Sequence, residues 1–232
     1  MNLAIVLLLI GIDAVTFGSG NRFHLEHSTG NGSFGMQSHG VIEALGGNRT
    51  KFYPLPQSTP EQYARLRAED IKINPLTPGS YEREEFIGPY QIEGANIWFG
   101  NHFYDSEGSH GVGAFGFFDT AARKYTLYSP PEVASYQISA ILVQSDVVWL
   151  GLEQFKEDIS TTPGGIVSWK RTTHEVHRYP MEFAVSSISP EGDSLRLKNS
   201  HGGYAIFHRG GIRRFLANGK LVAKFPPPPT HY

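Results

Sequence analysis

Four segments of this 232-residue chain share one layout. A repeat at this spacing restricts the fold more than any single residue can. Each segment opens with a short apolar strand and a turn bearing Gly, Asn or Asp. A second strand follows, then a loop ending in Gly, a third apolar strand, a short turn, and a fourth strand rich in Tyr, Phe and basic residues. Second strands are read at 23–26, 97–100, 148–151 and 195–198. Third strands open at Gly40, Gly113, Gly165 and Gly203, and fourth strands lie at 51–53, 124–128, 175–179 and 212–215. From each third-strand Gly to the closing aromatic the spacing is 13, 15, 14 and 12 residues.

The turns Gly46-Gly47-Asn48, Gly94-Ala95-Asn96 and Gly210-Gly211 carry hairpin chemistry. With 26 Gly, 15 Pro and 18% charged residues, the composition disfavours long surface helices and favours many short strands. A sandwich could share that composition. Recurrence of the whole four-strand unit every ~40–50 residues instead predicts an all-β chain built as a small β-propeller of about four antiparallel blades. The expected blades are 13–56, 87–130, 135–180 and 184–216, within one domain at 13–225. Trp98 and Trp149, at equivalent sites, are expected between blades.

Residues 57–86 are too long for a turn and form an insertion. Thr59-Pro60-Glu61-Gln62 reads as a helix start, with Thr as cap and Pro in the first turn, and the helix is expected to run to about Ala68. Residues 1–12 form an apolar run too short to span a bilayer as a helix. It has the length of a signal peptide but no early Lys or Arg and no clear cleavage site, so an export signal stands beside two rival readings, a buried strand and a truncated start inside a longer propeller gene. Secreted or periplasmic placement therefore stands level with cytoplasmic. Residues 226–232 form a Pro-rich tail.

Net charge is −2 and no basic block exists, which argues against nucleic-acid binding. The chain has no Cys, so a metal would need His, Asp or Glu ligands.

Ile97-Trp98-Phe99-Gly100 and Val148-Trp149-Leu150-Gly151 resemble the second-strand signature of streptogramin-lyase-like and two-component-regulator sensor propellers. Phe117-Phe118-Asp119 followed by Lys124-Tyr125-Thr126-Leu127-Tyr128 fits the same layout. The resemblance covers most of residues 13–216 and implies a blade, not an activity. Arg196 departs from it, standing where Trp is expected, and the lyase's catalytic His and carboxylate set has no residue-by-residue counterpart here.

In an antiparallel blade the loop between strands two and three shares an end with the connection to the next blade. The long loops read at 28–39, 101–111, 153–164 and 57–86 all fall at that end, which makes it the expected binding face. Its candidate residues are His27, His39, Asn101, His102, Asp105, His110, Glu153 and His201. Ser-His-Gly recurs at 38–40, 109–111 and 200–202, so His39, His110 and His201 could offer nitrogens to a divalent metal such as zinc or iron. The plainer reading is preferred: repeats inherit their turns, and a His before Gly can simply bond the loop backbone. No cofactor is otherwise expected.

The leading functional expectation is a non-catalytic, sensor-type binding propeller that recognises a small molecule, a glycan or a protein. One alternative is a metal-assisted lyase or hydrolase using the three loop histidines. Another is a propeller fragment that associates with other chains to complete a ring.

Overall fold

The structure is a computed structural model and describes residues 27–29, 32–59, 61, 82–83, 85–103, 109–154, 164–199 and 202–225. Its elements are strands, arranged in successive antiparallel sheets that follow chain order. The first sheet joins β1 (His27–Thr29), β2 (Gly32–Gln37), β3 (Gly40–Gly46) and β4 (Arg49–Pro54). The second joins β6 (Glu85–Glu93), β7 (Asn96–Phe103), β9 (Phe115–Asp119) and β10 (Lys124–Tyr128). The third joins β11 (Gln137–Val143), β12 (Val147–Glu153), β13 (Gly164–Lys170) and β14 (Val176–Met181). The fourth joins β15 (Ser187–Glu191), β16 (Ser194–Lys198), β17 (Tyr204–His208), β18 (Gly211–Phe215) and β19 (Leu221–Phe225). A short parallel ladder pairs β5 (Glu82–Arg83) with β8 (Ser109–His110).

The four sheets share one backbone feature. All four non-glycine residues of positive φ among the described residues, Asn48, Arg123, His174 and Arg209, lie in the turn between the third and fourth strands, one per sheet. Asn48 and Arg209 each share a two-residue turn with a positive-φ glycine, Gly47 and Gly210, whereas Arg123 and His174 sit in the longer turns 120–123 and 171–175.

Consecutive sheets pack face to face, so the second and third sheets each bury one face against their predecessor and the other against their successor, as the period-two alternation of a strand allows. Ile97 and Phe118 of the second sheet pack with Phe34 and Val41 of the first. Trp98 and Phe115, from the same strands, pack with Val148 and Trp169 of the third. Ile166 and, in part, Trp149 of the third pack with Leu195, Leu197 and Phe207 of the fourth. Close backbone approach between sheets falls on the first and second strands: β11 lies against β6 and β7, and β15 against β11 and β12.

A glycine makes that approach possible. A Cβ at Gly100 would sit 2.2 Å from Ile138 Cγ2 on β11, and one at Gly151 would sit 2.5 Å from the Val185 carbonyl oxygen that precedes β15. The Trp-x-Gly signature thus combines a large packing side chain with a site where the next sheet touches the backbone.

Four expectations need correction or lie beyond the described residues. Residues 28–39 are not a long loop: they contain most of β1, all of β2 and a two-residue turn at 38–39. Gly32, Ser33 and Gly35 disguise the strand, because only Phe34 and Met36 mark its apolar face. The fourth unit does not stop at 216 but adds β19, which pairs with β18 from Ile212↔Phe225 to Phe215↔Leu221. The second strand expected at 23–26 lies outside the described residues, as does nearly all of the helix expected from Thr59 to Ala68. No helix among the described residues is long and apolar enough to cross a membrane.

Candidate functional site

The residues expected on the long-loop face separate into distinct environments. His39 is an exposed turn residue between β2 and β3, its ring 5.1 Å from that of Phe86. His110 is placed by its backbone in β8 and His27 by its backbone in β1, while Asp105 and His201 lie outside the described residues. The three-imidazole metal arrangement therefore rests on side chains of which one is described. Asn101 is buried and uses both ends of its amide locally: Nδ2 donates to the Val112 carbonyl at 2.8 Å, and Oδ1 accepts the Ala114 N–H.

His102 and Glu153 do come together, at the ends of β7 and β12 where the second and third sheets adjoin. Burial holds the His102 imidazole below its ordinary pKa, while the Glu153 carboxylate and a backbone hydrogen bond to Ile138 act the other way. His102 Nε2 is buried without a hydrogen-bond partner among the described residues.

Glu85, which carried no sequence signal, anchors the same end. It is 2% exposed, and its carboxylate accepts N–H groups from Val112 at 2.7 Å and Ser58 at 2.9 Å. The Gln57 side chain pairs with the Glu85 backbone, accepting its N–H at 2.9 Å and donating to its carbonyl at 3.1 Å.

A groove of about 370 Å³ opens at the other end, between the third and fourth sheets. Trp149 from β12, Tyr179 from β14 and Phe207 from β17 form its aromatic floor. Their ring centroids lie 5.3 Å apart for Trp149 and Phe207 and 4.7 Å for Tyr179 and Phe207, within the range of attractive aromatic pairs. Three hairpin turns supply the rim: Gln144 before β12, Gly192 and Asp193 before β16, and Arg209 with Gly210 before β18. A second hollow of about 400 Å³ is lined by Asn199, Gly203 and residues 214–218, all contributed by the fourth sheet and its own turns.

The junction between the second and third sheets shows why this groove is open. There Trp98, only 2% exposed, lies 4.7 Å from Phe117 and 6.1 Å from Trp169. Trp169 in turn stacks on His174 at 5.0 Å. Arg171 covers Trp98, with its guanidinium 5.2 Å from the ring, and donates to both Glu93 oxygens at 2.7 and 2.9 Å. The fourth sheet replaces that turn, residues 171–175, by the two-residue turn Arg209-Gly210. The shorter turn leaves Trp149 only half-buried.

Sequence pattern marked Trp149 as a packing residue like Trp98 and did not separate the two by their cover. The signal lay in the unequal lengths of the third-to-fourth-strand turns.

No family model matches the chain. Among solved structures, it is similar to the computationally designed protein Ika4, with a TM-score of 0.36 and 8% identity over 61% of this chain and 91% of that one. It is also similar to the extracellular domain of a protein from B. thetaiotaomicron assigned as a one-component system, with a TM-score of 0.44 and 9% identity. That match covers 85% of this chain, which spans 27% of the length of its neighbour.

Proposed function

We propose that the chain is a non-catalytic ligand-binding module of the sensor type, a propeller-like fan of blades that takes a small molecule in the groove between its third and fourth sheets. The fan reading is supported by close approach at the first and second strands together with the Trp-x-Gly contacts. One observation carries the binding reading: two equivalent junctions carry an inward Trp, and one is sealed while the other leaves its aromatic floor half-open. Pockets lined by aromatic rings with a few polar groups at the rim are the usual form of a small-molecule site.

The test is a screen of small saccharides and small aromatic acids and amides against the ¹⁵N-labelled protein. Binding should perturb the Trp149 indole N–H and the amides of Phe207 and Gly210, and Trp149→Ala should abolish it. Perturbation confined to His39, His102 and Glu153 would move the site to the long-loop face and refute the groove.

A further inference from the structure

The junctions between sheets share an electrostatic device, and the last one lacks half of it. At the first junction Arg123, in the turn after β9, donates from Nη2 to Glu43 Oε1 of the first sheet at 2.7 Å. At the second, Arg171, in the turn after β13, holds the Glu93 carboxylate of the second sheet through both terminal nitrogens. At the third, Arg209 occupies the turn after β17, two residues beyond Phe207 as Arg171 is two beyond Trp169.

The counterpart of Glu93 in the third sheet is Gln144. Each lies five residues before its Trp and accepts that indole N–H, at 3.2 Å in both cases. The counterpart of Glu43 is Ser168: Glu43 pairs with Phe34 as Ser168 pairs with Trp149. Neither counterpart carries a charge. Arg209 lines the groove and has no ion pair among the described residues.

The other charged group at the rim is Asp193, whose side chain is 75% exposed to solvent. Asp193 lies 3.5 Å from His208 Nδ1 and accepts the Ser194 hydroxyl at 3.3 Å.

We infer that the groove is a carboxylate site: a small ligand bearing a carboxylate and a ring face places the acid against Arg209, where Glu93 sits in the preceding junction, and lays its ring on Trp149 and Tyr179. This rests on the groove being the binding site. A guanidinium suits the planar, two-oxygen geometry of a carboxylate, and an aromatic face accepts either an aryl ring or the apolar face of a sugar.

The experiment follows the Trp149 indole N–H during titration with two matched pairs, phenylacetate with phenylacetamide and glucuronate with glucose. The acid of at least one pair should bind about tenfold more tightly than its neutral partner. Which acid does so identifies the ring as aryl or saccharide. Arg209→Gln should remove that preference, bringing the acid down to the affinity of its neutral partner.

Gln144→Glu supplies the missing carboxylate from within the protein. It should also abolish the preference, and it should raise Tm by about 1–3 °C in low salt, a gain that Arg209→Gln cancels. Equal binding of acid and neutral partner, or a preference that survives Arg209→Gln, would overturn the carboxylate assignment and leave the groove standing. If no member of either pair moves the Trp149 signal, and Gln144→Glu gives no salt-sensitive gain in Tm, the assignment fails as well.

Discussion

At the residue scale, the junctions depend on charged groups that no local pattern announces. Glu43 is 3% exposed and is held by Arg123, 80 residues further on, and by the Tyr53 hydroxyl at 2.6 Å. A lone Glu in an apolar strand shows only that it must find a partner; which one depends on how the sheets stack. Glu85 and Arg171 were illegible for the same reason, whereas Trp98 and Trp149 stood out because their strands repeat. The hydrogen bond from Arg123, aided by Tyr53, outweighs burial and holds the Glu43 carboxyl below its ordinary pKa. Glu43→Gln is expected to cost about 1–3 kcal/mol at neutral pH, nearer the lower figure because Arg123 is 41% exposed. A carboxyl whose pKa is lowered by folding stabilises the folded state above the unfolded pKa, and this contribution disappears as pH falls through the folded value. The stability gap between wild type and Glu43→Gln, measured by urea unfolding, should therefore narrow as pH is lowered from about 6 to about 3.

The behaviour of whole strands follows from what each face meets. Trp98 and Gly100 on β7 recur as Trp149 and Gly151 on β12, and as Arg196 and Lys198 on β16. The first two strands each receive a following sheet, so a Trp fills the junction and a Gly admits the approaching backbone. The far face of the fourth sheet has no such sheet among the described residues, and there Arg196 lies over the Tyr204 ring at 4.2 Å while Lys198 is exposed. Arg196 and Lys198 thus stand where no described sheet follows, and polar side chains suit a face left open to water. Gly100→Ala should destabilise the chain by about 1–3 kcal/mol through overpacking against Ile138, whereas Lys198→Ala at the equivalent position should change stability by less than about 0.5 kcal/mol, both read from thermal or urea unfolding. Strands with unbroken apolar alternation were legible from sequence. β2 was hidden by its small residues, and β19 by the Asn218-Gly219 turn that separates it from the repeat it extends.

Across the molecule, the four antiparallel sheets could be read from sequence because strand and turn patterns are local, while the groove arises from a difference between two junctions and shows in sequence only as unequal turn lengths. Trp98 and Trp149 occupy equivalent strands, yet the turn that carries Arg171 encloses one and the short Arg209-Gly210 turn leaves the other open. The central claim is this asymmetry, and the chain's three tryptophans allow a direct measurement of it. Three single-Trp proteins, each made by two Trp→Phe substitutions and checked for cooperative melting, can be compared by acrylamide quenching. Trp98 and Trp169, only 2% and 3% exposed, should be quenched weakly, and Trp149 several-fold more strongly. Equal quenching of Trp149 and Trp98 in folded proteins would show that the third junction is as closed as the second and would contradict the account.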